Sequence, residues 1–198
     1  MTIGLIAEVC PDNMAGQTKG TAPDGYKRTE AGVIPESWIS CELGDAIVLQ
    51  RGFDLPQRLR APGDVPIVSS SGVSGYHNES KVTAPGLVTG RYGTIGEVFY
   101  LERDFWPLNT TLYVRELKGV VPLYAYYLLR TVDFESHSGK SGVPGVNRND
   151  VHGEVIALPS QEEQALIAKT LSDIDALIRE LEKLIAKKQD IKTATMQQ

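Results

Sequence analysis

The chain has 198 residues, 41% of them hydrophobic, and its 20 Lys and Arg against 25 Asp and Glu leave a net charge of −5. That is enough for one full domain with a real core plus an arm. No run approaches the ~18 apolar residues of a membrane span and the start lacks a secretory pattern, so a soluble, cytoplasmic protein with no membrane partner is expected. The acidic balance excludes a globally basic nucleic-acid binder: any DNA affinity must come from a local patch or be shared with partner subunits.

Residues 1–30 mix Gly, Thr, Asp, Asn and Lys with little periodicity and read as a flexible tail. A domain over 31–159 opens at GVIPESW (32–38), and ELGDAIVLQ (42–50) offers a short helix or strand. A polar loop (51–64) follows, carrying Arg51, Arg58 and Arg60. VPIVSSS (65–71), GLVTGR (86–91), TIGEVFYL (94–101) and TTLYVREL (110–117) alternate apolar and polar positions and predict strands. VPLYAYYLLRTV (121–132) predicts the one helix inside the domain, with Leu123, Tyr127, Leu128 and Val132 on one side. A glycine-rich loop (136–150) and a last strand (153–159) complete an α+β domain of irregular mixed sheet.

From Ser160 to Gln198 there is neither Gly nor Pro, and Ala, Leu, Glu, Lys and Gln dominate, so one continuous helix is predicted. Ser160 and Glu163 have the spacing of a capping box. Ile167, Leu171, Ile174, Ile178, Leu181 and Ile185 step by 4, 3, 4, 3, 4, and Leu177, Leu184 and Ile191 add a second line. This face is wider than a two-stranded seam and predicts more than one neighbour. At 1.5 Å per residue the helix extends about 55 Å, farther than a small domain can cover, so a projecting coiled-coil arm over 160–198 is expected.

Enzymatic motifs are near misses. Gly139-Lys140-Ser141 resembles the end of a phosphate-binding loop, but the first glycine of that motif falls on Phe134. Asp64, Glu79 and Lys81 imitate a magnesium-dependent nuclease with no second motif in support. Cys10, Cys41, His77, His137 and His152 are scattered, which predicts no metal site, and no nucleophile–base set predicts a catalytic residue. Glycine-bordered loops instead carry Arg91 and Tyr92, then Lys140, Ser141, Asn147 and Arg148. Arg and Lys neutralise phosphates or fork onto guanine, and Asn forks onto adenine, so these loops are candidate DNA contacts.

GVIPESW, ELGD, VTGRYGTIGEVFYLERDFWPLNTTLYV (88–114) and SGVPGVNRNDVHGEVIALPSQEEQALIAKTLSDIDALI (141–178), in that order, resemble a target recognition domain and spacer helix of a type I restriction-modification specificity subunit. The resemblance implies a non-catalytic subunit that reads one half-site of a bipartite double-stranded DNA target. It implies DNA contacts from the loops around Arg58, Arg60, Arg91, Tyr92 and Lys140 to Arg148. It further implies that the helix, through Ile167 to Ile191, pairs antiparallel with a second specificity half or with a second copy of itself. The helix would also dock modification subunits. S-adenosylmethionine, ATP and magnesium are then expected only on modification and restriction subunits, none on this chain. Members of the family usually carry two such halves, so one half implies a truncated, engineered or natural half-length subunit. Two other readings stand beside it: the magnesium nuclease, and a coiled-coil adaptor that binds only protein.

Overall fold

A computed structural model describes residues 22–138 and 145–196. A hairpin of β1 (Tyr26–Thr29) and β2 (Gly32–Pro35) comes first. The tail reading is therefore corrected at its end: Tyr26 to Thr29 alternate in exposure and bond to β2, while residues 1–21 lie outside the described residues. Then follow β3 (Ile39–Glu42), α1 (Leu43–Ala46) and β4 (Ile47–Arg51), so 42–50 holds both a helical turn and a strand.

The centre is an antiparallel sheet ordered β4-β10-β7-β8, with β7 at Gly86–Gly90, β8 at Val98–Leu101 and β10 at Thr111–Leu117. A three-stranded sheet, β6-β5-β9, packs on one face; β5 is Val65–Ser69, β6 Gly72–His77 and β9 Trp106–Pro107. β6 escapes the sequence pattern because its two glycines and exposed Val73 and Tyr76 break the alternation. β8 is shorter than expected because its pairing with β7 begins only at Val98, opposite Thr89.

The first half of β10, Thr111 to Val114, is buried on both faces, while Arg115 and Glu116 emerge into solvent. Leu112 and Val114 join Leu49 and Leu87 in the main core, against α2 (Pro122–Leu129) and the start of α4 (Gln161–Met196). Tyr113 turns the other way, with Val88, towards Val68 and Phe105. On α2 the buried residues are Tyr124, Ala125 and Leu129, one step round from the expected face, because the helix packs on the sheet and on α4 at once. Tyr127 is spared for a hydrogen bond to Asp175 Oδ2 of α4, at 2.9 Å.

The loop over 136–150 ends in a helical turn rather than irregular chain. Asn147 accepts from the Asn149 N–H at 3.1 Å and starts α3 (Arg148–His152). α3 is pinned to the sheet, since His152 Nε2 accepts the Leu49 N–H at 2.9 Å. Next, β11 (Val155–Leu158) pairs with β3.

At the start of α4 the capping box is closed in both directions. The Glu163 N–H donates to Ser160 Oγ at 3.3 Å, and the Ser160 N–H to Glu163 Oε2 at 3.2 Å. The helix then splits the apolar positions that the sequence joins. Ile167, Leu171 and Ile178 are half-buried towards the domain, whereas Ile174, Leu177, Leu181, Leu184, Ile185 and Ile191 are exposed. The buried line is completed by Gln164 and Ala168, neither of them in the expected stripe.

His152 makes stability pH-dependent. Burial lowers its pKa below the ordinary value of about 6.5, and nearby Arg148 and Lys118 lower it further. The folded state therefore binds fewer protons than the unfolded chain, so this contribution is complete above about pH 6.5 and is lost as pH falls through the lower folded value. Urea midpoints are expected to hold steady above that pH and to fall below it. In His152→Gln the fall between about pH 6.5 and 5 should shrink; an unchanged pH profile would contradict the role of this ring.

Candidate nucleic-acid interface

An open cleft of about 760 Å³ lies where β4, β10 and α3 meet. Four arginines line it, Arg51, Arg91, Arg115 and Arg148; Asp54, in the lining, offsets Arg51, and Glu116, 3.8 Å from Arg115, offsets that arginine. Leu112, Phe53 and Val146 supply apolar lining, and Gln50, Asn147 and Asn149 add amides. In a chain of net charge −5, this places a concentrated positive field on one concave surface, where low-dielectric walls focus it.

The cleft is assembled from segments remote in sequence. Arg51 ends β4 opposite Leu112 of β10. Arg115 lies at a bulge in β10 and donates from Nη1 to Gln50 Oε1 at 3.4 Å. Arg91, just past β7, donates from Nε to the Val146 carbonyl at 3.4 Å, while the Val146 N–H donates to the Arg91 carbonyl at 3.0 Å. These bonds bring Arg91 and Tyr92 beside Asn147 and Arg148. The Arg91 guanidinium also lies 4.6 Å from the Tyr92 ring centre. Gly145 permits this approach: a Cβ there would come within 2.1 Å of the Tyr92 ring.

The expected site residues are thus divided. Arg91, Asn147 and Arg148 line the cleft and Tyr92 braces it. Arg58 and Arg60 do not line it. Arg58 is exposed on the turn Gln57–Leu59, and Arg60 donates to the Leu55 carbonyl at 3.4 Å and lies beside Gly75 of β6. The grouping failed because Arg51 belongs to a strand, after which the chain turns away towards the other sheet. Lys140 and Ser141, with the phosphate-loop look-alike, lie outside the described residues. Sequence reasoning missed Gln50, Arg51 and Arg115 as site residues. A register between β4 and β10 would have found them, and no local pattern encodes it.

The nuclease trio is not brought together: Asp64 pairs outside it, with Arg103 at 3.2 Å, while Glu79 and Lys81 pair with each other at 4.0 Å. Lys81 also lies 4.8 Å from the Trp106 ring centre. Among the described residues no group of three or more His, Cys, Asp or Glu is placed to hold a metal ion. Nor is any helix among them long and apolar enough to cross a membrane.

A small α+β domain with an arginine-lined cleft and a long helical arm presents a surface suited to a polyanion such as nucleic acid. The chain matches the model of the type I restriction modification DNA specificity domain over residues 35–193 and belongs to that family. The family is a specificity domain, not a catalytic one. The MjaVIII specificity subunit of Methanocaldococcus jannaschii is 32% identical, over 82% of this chain and 41% of the relative. A solved type I restriction-modification S subunit from M. genitalium shares the fold with TM-score 0.64 and 21% identity, covering 75% of this chain and 41% of that one. A chain solved in work on complex assembly and conformational transition of the type I R-M system gives TM-score 0.67 at 16% identity, over 92% of this chain and 45% of that one. The chain therefore spans less than half the length of the curated relatives it matches.

The Gly145–Tyr92 contact is testable apart from the core. Gly145→Ala should push the Tyr92 ring aside and loosen the Arg91 brace, lowering DNA affinity on the order of tenfold. The thermal midpoint should move by only about 2 °C, because the contact lies at the rim. Fluorescence anisotropy and calorimetry measure the two; unaltered affinity would show that the brace plays no part in binding.

Proposed function

We propose that this chain reads one half-site of a bipartite DNA target through the arginine-lined cleft, and joins a second specificity half through α4. The observation that carries the reading is the cleft: four arginines converge on one concave surface of an otherwise acidic chain. Membership of a DNA specificity domain family supports DNA as the ligand. Phosphate contacts position the duplex, and the amides and guanidinium forks meet base edges. The chain performs no chemistry of its own. Modification subunits, docked along the paired helices in the cytoplasm, bind S-adenosylmethionine, and restriction subunits use ATP and magnesium.

The exposed line Ile174, Leu177, Leu181, Leu184 and Ile191 supports the pairing. Its members are each 46–65% exposed, and they follow heptad spacing broken only at Lys188. Burying each such side chain is worth about 1.5–3 kcal/mol, so a partner helix has much to gain. Antiparallel pairing sets Glu162 and Glu163 of one helix near the lysine-rich end of the other, which matches charges and helix dipoles. The half-buried Ile167, Leu171 and Ile178 remain with the parent domain.

Two measurements test this reading. DNA binding by the chain should weaken steeply between about 50 and 200 mM salt, and Arg115→Ala and Arg148→Ala should each reduce the log–log slope by about one. Unchanged affinity and slope in both variants would remove the cleft from consideration. Separately, Ile174→Asp with Leu181→Asp should convert a dimer to a monomer in sedimentation, since both sites are exposed and leave the domain core intact. With no other half present α4 is expected to pair with a second copy of itself, and a wild-type monomer at tens of micromolar would refute that self-pairing.

A further inference from the structure

The arginines of the cleft are not equivalent, and their differences assign them separate tasks. Arg51 is held. Its Nη2 donates to Asp54 Oδ1 at 3.2 Å and lies 3.3 Å from Oδ2. Asp54 is fixed in turn by the side-chain amide of Asn109, which donates to Oδ1. The backbone beneath is just as constrained: the Gly52 N–H donates to the Thr111 carbonyl at 3.0 Å, and the Phe53 N–H to the Pro107 carbonyl at 2.8 Å. Only glycine fits between them, since a Cβ on Gly52 would meet the Leu108 carbonyl oxygen at 2.2 Å. Both arginines are exposed to solvent, but Arg148, at the start of α3, has no ion pair among the described residues.

Resting on the reading of the cleft as the DNA-binding surface, we propose that the Arg51–Asp54 pair reads a G·C base pair in the half-site, while Arg148 is a sequence-neutral phosphate anchor. An arginine already oriented by a carboxylate loses little freedom on docking and keeps its fork in one place, which favours recognition of a planar edge over a mobile phosphate. Asp54 offsets part of the charge that would draw Arg51 to phosphate, and repels phosphate itself. Nη1 and Nε of Arg51 make no hydrogen bond among the described residues, so donors remain for a ligand. The major-groove edge of a G·C pair offers N7 and O6 acceptors beside the N4 amino donor. A fixed pair with guanidinium donors next to a carboxylate acceptor is the complement of that edge. Placement at the end of a strand of the four-stranded sheet, not on a loop, gives the precision that base reading requires.

The test is selection of duplexes from a randomised pool by the full chain at low salt, with salt slopes measured on the selected duplex. The wild type should select a motif containing a G·C position. Arg51→Ala should flatten that position by about 5- to 150-fold while keeping the others. Arg148→Ala should keep the whole motif and lower the slope by about one. Asp54→Asn, which preserves shape but removes the charge, should weaken the G·C preference and steepen the slope, because Arg51 is then freed for phosphate. A motif without a G·C position, or one unchanged in Arg51→Ala, would overturn the assignment and leave the DNA-binding role of the cleft standing. Failure of the wild type to retain any duplex would overturn both.

Discussion

The arrangement of the molecule turns on one buried amide where the arm leaves the domain. Gln164 is 3% exposed, and both ends of its side chain are used: Oε1 accepts the Val121 N–H at 2.9 Å and Nε2 donates to the Pro159 carbonyl at 3.0 Å. Val121 caps α2, and Pro159 closes the link from β11, so one residue ties three elements together. An apolar residue there would strand a donor and an acceptor, a cost of about 1–3 kcal/mol for each group. Ala168, one turn on, is small enough for α2 to approach closely, and Asp175 then meets Tyr127 at 2.9 Å and Arg130 at 3.7 Å. Burial and its bond to Asp175 push the Tyr127 hydroxyl up to about 12, so it stays a donor across the physiological range. These contacts fix the angle of α4 to the sheet, and hence the arm to the cleft.

Local chemistry made much of this legible in advance. The capping box at Ser160, the long stretch without Gly or Pro, and the alternating runs at 65–71, 86–91 and 110–117 all depend on near neighbours, and each produced its element. What stayed hidden depends on residues far apart. β6 is a strand because β5 offers it an edge, despite its two glycines. The face of α2 is set by α4, some forty residues later, so periodicity within α2 alone points one step aside. The site shows the same division. Arg91, Asn147 and Arg148 were suspect from their loops, but Arg51 and Arg115 become neighbours only through the bulged pairing of β10 with β4.

The acidic net charge and a DNA-reading role are compatible because charge is distributed, not averaged. At physiological salt fields fade over about 8 Å, so a duplex in the cleft responds to its lining, not to carboxylates on the far end of a long helix. Net charge therefore does not weigh against the proposed reading, which rests on the disposition of four side chains. The segregation has a further use. On the proposed reading, acidic residues elsewhere would limit non-selective attraction to DNA and leave base reading a larger share of the total affinity.

The splitting of the apolar face of α4 resolves why that face is too wide for a simple coiled coil. A helix serving only its own domain needs one stripe, and so does a helix serving only a partner. Here the stripe through Ile167, Leu171 and Ile178 turns inward, while the line from Ile174 to Ile191 faces solvent. The inward contacts end near Ile178, and every residue from Arg179 to Met196 is exposed. The 36 residues of α4 span about 54 Å, and the outer half is the part that its own domain cannot stabilise. On the proposed reading, a partner helix running the opposite way lies along the whole of α4, covers that outer half and has its own covered in return. Each recognition domain is then carried at an end of a shared rod whose length is set by the number of residues, not by flexible linkers. At 3.4 Å per base pair such a rod corresponds to roughly fifteen base pairs. Inserting or deleting turns in α4 would change that separation stepwise without touching either cleft. The rigidity of the Gln164 junction is what would let such a change reach the DNA.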